Sequence, residues 1–75
     1  MDVKILATKA CTHRQALQLE LEEMGVACVV WFVEDHPDIV ARHGIRHSPN
    51  LLVGDRVVFR GQPTPLELRD FFGNH

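Results

Sequence analysis

Two apolar runs separated by one amphipathic stretch constrain this chain of 75 residues more than any other feature. The first, Val3-Lys4-Ile5-Leu6-Ala7, reads as a strand over residues 2–7 that is buried on both faces. The second, Val26-Ala27-Cys28-Val29-Val30-Trp31-Phe32-Val33, is β-branched and aromatic and reads as a strand over 26–33. Between them, Leu17, Leu21 and Met24 recur at i, i+4 and i+7, with Glu20, Glu22 and Glu23 mostly on the opposite side, so 12–24 reads as a helix. Thr12 with Gln15 three residues later has the form of a capping box, and Gly25 is the expected stop. A strand, a crossover helix and a second strand predict a right-handed unit with parallel strands.

The remainder is punctuated just as clearly. His36-Pro37-Asp38 opens a short helix, with Pro37 suited to its first position, that runs to His43 and ends at Gly44. Residues 50–53 and 56–59 read as two strands joined at Gly54-Asp55, a hairpin signal that makes them antiparallel. Thr64-Pro65-Leu66-Glu67 combines an N-cap, a proline at the first helical position and a glutamate at the third. The last helix carries Leu66, Leu68, Phe71 and Phe72 and ends at Gly73. His75 ends the chain and reads as disordered or as a tag boundary. The order β-α-β-α-β-β-α predicts an α/β fold, a four-stranded mixed sheet with helices on both faces, forming a single domain over 1–75. That length is near the lower limit for one hydrophobic core.

Charge and cysteine usage narrow the function classes. A formal net charge of -2 gives no electrostatic reason to expect nucleic acid or an acidic membrane surface. The longest apolar run, residues 26–33, is far too short to span a bilayer, and no charged n-region with a following apolar segment marks a signal peptide. Two cysteines without a spacing pattern make no disulfide scaffold, which fits a reducing cytoplasm.

The chemistry concentrates at Thr8-Lys9-Ala10-Cys11-Thr12-His13-Arg14. Cys11 stands at the first strand-to-helix turn, where helix amides and the helix dipole favour a thiolate. Lys9 before it and Arg14 one turn along are further cations, and His13 adds charge when protonated or shuttles a proton. Where a redox pair C-x-x-C would place its second sulfur, this chain has Arg14.

This element order, with that cysteine position, resembles the thioredoxin/glutaredoxin fold. The segment Gly44-Ile45-Arg46-His47-Ser48-Pro49-Asn50-Leu51-Leu52-Val53 is similar to the thioredoxin segment G-I-R-x-x-P-T-L, whose proline is cis and faces the active-site cysteine. The following Gly54-Asp55-Arg56-Val57-Val58-Phe59-Arg60-Gly61 resembles the hairpin of small glutaredoxin-like proteins. The resemblance implies that Cys11 stands for the nucleophile and Pro49 for the cis-proline. Ser48 and Pro49 would line the groove for an extended substrate or glutathione, with Thr12 and His47 beside it. Arg14 replaces the resolving cysteine, and Asn50 replaces the usual threonine after the proline. The expected activity is monothiol thiol-disulfide exchange on protein or small-molecule disulfides, with Cys11, His13 and Arg14 as catalytic residues. An external thiol such as glutathione releases the mixed disulfide, and no tightly bound cofactor is expected. The alternative is a redox-inactive binding module that uses the same groove for a protein or peptide.

Other candidates read more simply. Cys28, central in an apolar run, is expected to be a small buried hydrophobe rather than a partner of Cys11. Cys11, His13 and His47 could supply three ligands to zinc or copper, but Cys11-x-His13 is not a recognised ligand spacing, and no metal is expected. Trp31 is expected in the core rather than at a partner surface.

Overall fold

A computed structural model describes residues 2–73. Its elements follow the expected order: β1 (Val3–Ala7), α1 (His13–Glu23), β2 (Val29–Phe32), α2 (Pro37–His43), β3 (Asn50–Val53), β4 (Arg56–Arg60) and α3 (Pro65–Phe72). The expectation for His75 lies outside the described residues.

The four strands form one sheet in the order β2-β1-β3-β4. β1 pairs in parallel with β2 and antiparallel with β3, and β3 pairs antiparallel with β4. The central pair is β1 and β3, the two strands whose residues are nearly all buried, as their continuous apolar character requires.

Alternation along β1 divides the core into two layers. Val3, Ile5 and Ala7 face α1 and α3, where they pack with Leu17, Leu21, Leu51, Leu68 and Phe72. Leu6 faces the other way and packs with Leu52 and Ile45, against Trp31, Ile39 and Val40. Helices therefore cover both faces. In β4 a register shift opposite Leu51 and Leu52 places Phe59 against Leu51 and Val57 against Leu52. This lets the consecutive residues Val58 and Phe59 both join the α1/α3 layer while Val57 joins the α2 layer.

The helix ends show which local signals hold. α1 closes as a Schellman motif: Gly25 takes φ +75°, the Val26 amide donates to Leu21 O at 2.9 Å, and the Gly25 amide donates to Glu22 O at 3.0 Å. Gly44 closes α2 in the same left-handed conformation, and the Ile45 amide donates to Val40 O at 3.0 Å, which turns buried Ile45 into the core and starts the loop towards Pro49. At α3 the capping box is complete: the Glu67 amide donates to Thr64 Oγ1 at 3.1 Å and the Thr64 amide to Glu67 Oε1 at 2.9 Å. α1 has no such cap. Thr12 sits in right-handed helical backbone geometry, from which its hydroxyl makes no cap bond, so the expected Thr12–Gln15 box does not form.

One further expectation is corrected. The second strand is confined to Val29–Phe32, paired with Lys4–Ala7 of β1; β1 ends at Ala7, opposite Phe32, and residues 33–35 turn into a 3-10 helix. Leu66 is 67% exposed, because Leu68 and Phe72, four residues apart, define the buried face of α3 and a residue two before Leu68 lies round the helix from it.

The two threonine caps give a matched pair of expectations. Thr64→Ala should cost about 1 kcal/mol in denaturant unfolding. Thr12→Ala should change stability by less than about 0.5 kcal/mol, as at a surface position without a specific bond. Equal losses at both sites would contradict the cap assignment.

Candidate active site

Cys11 follows the C-terminal end of β1 and precedes α1, half-buried, with its side chain against the α1/α3 core layer. Its own amide closes a turn by donating to Thr8 O at 3.1 Å. Thr12 and His13 are exposed at the start of α1. The first turn of that helix holds no acidic residue and no side-chain cap, so nothing of opposite charge on the helix offsets its positive end.

The proline loop meets this turn. The Ser48–Pro49 peptide bond is cis. Ser48, half-buried, accepts a hydrogen bond at Oγ from the Thr8 amide at 3.1 Å, and Pro49 is buried. Pro49 O accepts from the Gly61 amide at 2.9 Å, so the exit of β4 braces the loop from its far side. His47 is exposed on the same loop. The structure thus brings Ser48 and Pro49 to the Cys11 turn.

The cations around Cys11 are arranged differently from the sequence expectation. Lys9 Nζ pairs with Asp35 Oδ1 at 3.5 Å, so its charge is engaged by the 3-10 helix that follows β2. The Lys9 amide donates to both carboxylate oxygens of Glu34, at 3.2 and 3.1 Å. Arg14 stacks on Phe32, its guanidinium carbon 5.2 Å from the ring centroid, and Lys9 Nζ lies 5.8 Å from the same ring. Phe32 therefore gathers the two cations that flank Cys11 in sequence. The signal for it was the parallel register, since Phe32 stands opposite Ala7, the last residue before the turn.

Cys28 is not mid-strand; it is half-buried just before β2. Burial pushes its thiol up from the ordinary value of 9.0, and the Glu22 carboxylate adds to the rise. Val29 is level with Lys4, whereas Cys11 lies beyond Ala7, so roughly 13 Å of strand rise separates the two cysteines. A disulfide needs α-carbons about 4.4–6.8 Å apart. The two thiols are free and cannot join within the folded chain.

Among the described residues, no three His, Cys, Asp or Glu side chains converge to hold a metal ion. A cavity of about 270 Å³ opens on the α2 side, lined by Lys4, Trp31, Ile39 and Leu52. On its rim Asp55 binds both Arg42 and His43, and Cys11 is not among its lining residues. No helix among the described residues is long and apolar enough to cross a membrane.

A family model described as a thioredoxin domain matches residues 1–73. The chain belongs to the thioredoxin-domain family. No curated protein and no solved structure matches the chain. The match covers the whole sheet and all three helices, so this thioredoxin domain carries the family fold with arginine, not cysteine, three residues after Cys11.

The thiols should separate by reactivity. At neutral pH iodoacetamide should label Cys11 of the thioredoxin domain first, with Cys28 following only as pH climbs past the ordinary thiol range. The folded state holds the Cys28 proton longer than the unfolded chain, so stability should fall as pH rises above that range, and Cys28→Ala should remove the fall. Peptide mapping that finds Cys28 labelled first would contradict both statements.

Proposed function

We propose that this thioredoxin domain is a single-thiol oxidoreductase that exchanges disulfides through Cys11 with an external thiol. The observation that carries the reading is the bond from the Thr8 amide to Ser48 Oγ, which fastens the proline loop beside the half-buried Cys11 turn. A nucleophile and a surface for an extended substrate then stand side by side.

The chemistry proceeds in two balanced exchanges. Cys11 Sγ, as thiolate, attacks one sulfur of a disulfide; a Cys11–substrate S–S bond forms as the original S–S bond breaks. The departing thiolate takes a proton, for which exposed His13 at the head of α1 is the candidate donor. Arg14 cannot act as a resolving group, and Cys28 lies too far along the sheet. A second thiol, glutathione in the simplest case, therefore attacks the mixed disulfide. It restores the Cys11 thiolate and carries away the substrate sulfur in a new disulfide. Cys11 stands at the N-terminal end of α1, whose first turn holds no acidic residue, and Arg14 in that turn stacks on Phe32. Thr12, His47 and Ser48 supply the contact surface, with buried Pro49 fixing the loop beneath it, and no bound cofactor is needed. A reducing, glutathione-rich cytoplasm is the setting that fits two unpaired thiols.

The test is intact mass after exposure to oxidised glutathione, followed by turnover with reduced glutathione and a mixed-disulfide substrate. The wild-type protein should gain one glutathione on Cys11 and turn over, and Cys11→Ser should do neither. Absence of both adduct and turnover in the wild type would overturn the reading and leave a redox-inactive binding module in its place.

A further inference from the structure

We infer that Asn50 is the positioning residue of this site, the side chain that sets how far the proline loop stands from the Cys11 turn. The inference rests on the thiol-disulfide reading above, but part of its test does not.

Asn50 follows Pro49 directly and opens β3, opposite Leu6 of β1. It is the buried polar side chain of the core, 0% exposed. Its Nδ2 donates to Leu6 O at 3.3 Å and also to His47 O. Leu6 is the penultimate residue of the strand that leads to Cys11, and His47 lies two residues before Pro49. One amide group, with two hydrogens, therefore ties the strand that delivers the nucleophile to the loop that presents the substrate. The orientation follows from the partners, since exchanging nitrogen and oxygen would set Oδ1 against two carbonyls.

The position is costly, and the cost is informative. Asn50 Oδ1 is buried without a hydrogen-bond partner among the described residues. A residue that merely filled space would be better apolar, because a buried acceptor left unpaired is destabilising. What an apolar residue cannot supply is the pair of donors. A threonine offers one hydroxyl proton and can serve one carbonyl; an ionised aspartate offers none. The two-carbonyl tie is thus specific to the amide. The outer bonds, Thr8 N to Ser48 Oγ and Gly61 N to Pro49 O, brace a loop whose inner edge Asn50 holds. A substrate lying on that loop must bring its sulfur to Cys11, and a misplacement of about 1 Å can cost on the order of a hundredfold in rate.

The experiment compares Asn50→Thr, Asn50→Asp and Asn50→Leu with wild type in three measurements: exchange of Cys11 with oxidised glutathione, alkylation of Cys11 by iodoacetamide, and amide hydrogen exchange at Thr8 and Gly61. Iodoacetamide makes no use of the proline loop, so it separates placement from thiol reactivity. The Asp and Leu variants should lose about tenfold or more in disulfide exchange while alkylation stays within about twofold, and the Thr variant should fall between them and wild type. Thr8 and Gly61 amides should lose protection in the same order. If the Asp and Leu variants do not fold, the Thr variant, which keeps one donor, decides the matter alone. A Thr variant equal to wild type in every arm overturns the inference, as does a parallel loss of exchange and alkylation, which marks a purely structural role. Wild type that fails to exchange at all overturns the thiol-disulfide reading, and the amide protection of the Thr variant then still decides whether Asn50 holds the loop.

Discussion

Antiparallel pairing of β1 with β3 is the constraint on which the rest of this molecule depends. β1 runs towards Cys11 and β3 runs away from Pro49, so only an antiparallel register puts both ends at the same edge of the sheet. The parallel partner on the other side, β2, brings Phe32 and then Glu34 to that edge as well. Three segments distant in sequence meet there because one strand pairs in opposite senses on its two sides. That strand is held by burial on both faces, with Val3, Ile5 and Ala7 in one layer and Leu6 in the other. In so small a domain, truncating one fully buried leucine such as Leu17 or Leu51 costs about 2–5 kcal/mol, a large part of the whole stability. Fold and site are therefore inseparable.

Charge at the site is distributed by an aromatic ring rather than by ion pairing alone. Phe32 holds Arg14 and Lys9 against its face, and the acidic residues after β2 take the Lys9 ammonium and the Lys9 amide. Arg14 keeps its charge without a carboxylate partner among the described residues. The thiol in this environment is sequentially isolated: the other cysteine lies at the opposite end of the sheet and is held protonated by burial and by Glu22.

The sequence made the element order, the sheet and both core layers legible, because apolar alternation and the glycine and proline punctuation carry that information locally. Gly25, Gly44 and the Thr64–Glu67 box each do in the structure what their local chemistry indicates. The Thr12–Gln15 pattern failed although its letters are right, since the backbone arriving from the Cys11 turn is already helical at Thr12. The second strand came out shorter; at its C-terminal end it stops at Phe32, opposite Ala7, where its partner ends. What the sequence did not reveal is what supports the Cys11 turn and the proline loop. Asn50 looks like an ordinary substitution until its two carbonyl partners, 44 and 3 residues away, are seen. Phe32 looks like a core aromatic until the register sets it beside the turn.

Trp31 has a practical consequence of another kind. It is the single tryptophan of the chain, and it lies on the α2 side, its ring stacked on His36 at 4.4 Å and 15° with Lys4 Nζ 4.9 Å from the centroid. The chromophore is therefore on the far side of the sheet from the α1/α3 layer against which the Cys11 side chain packs. Its fluorescence is an optical gauge of how α2 sits on the sheet, read from the face opposite the Cys11 side chain. One spectroscopic channel reports the packing of α2 on the sheet, and mass or thiol titration reports the chemistry at Cys11.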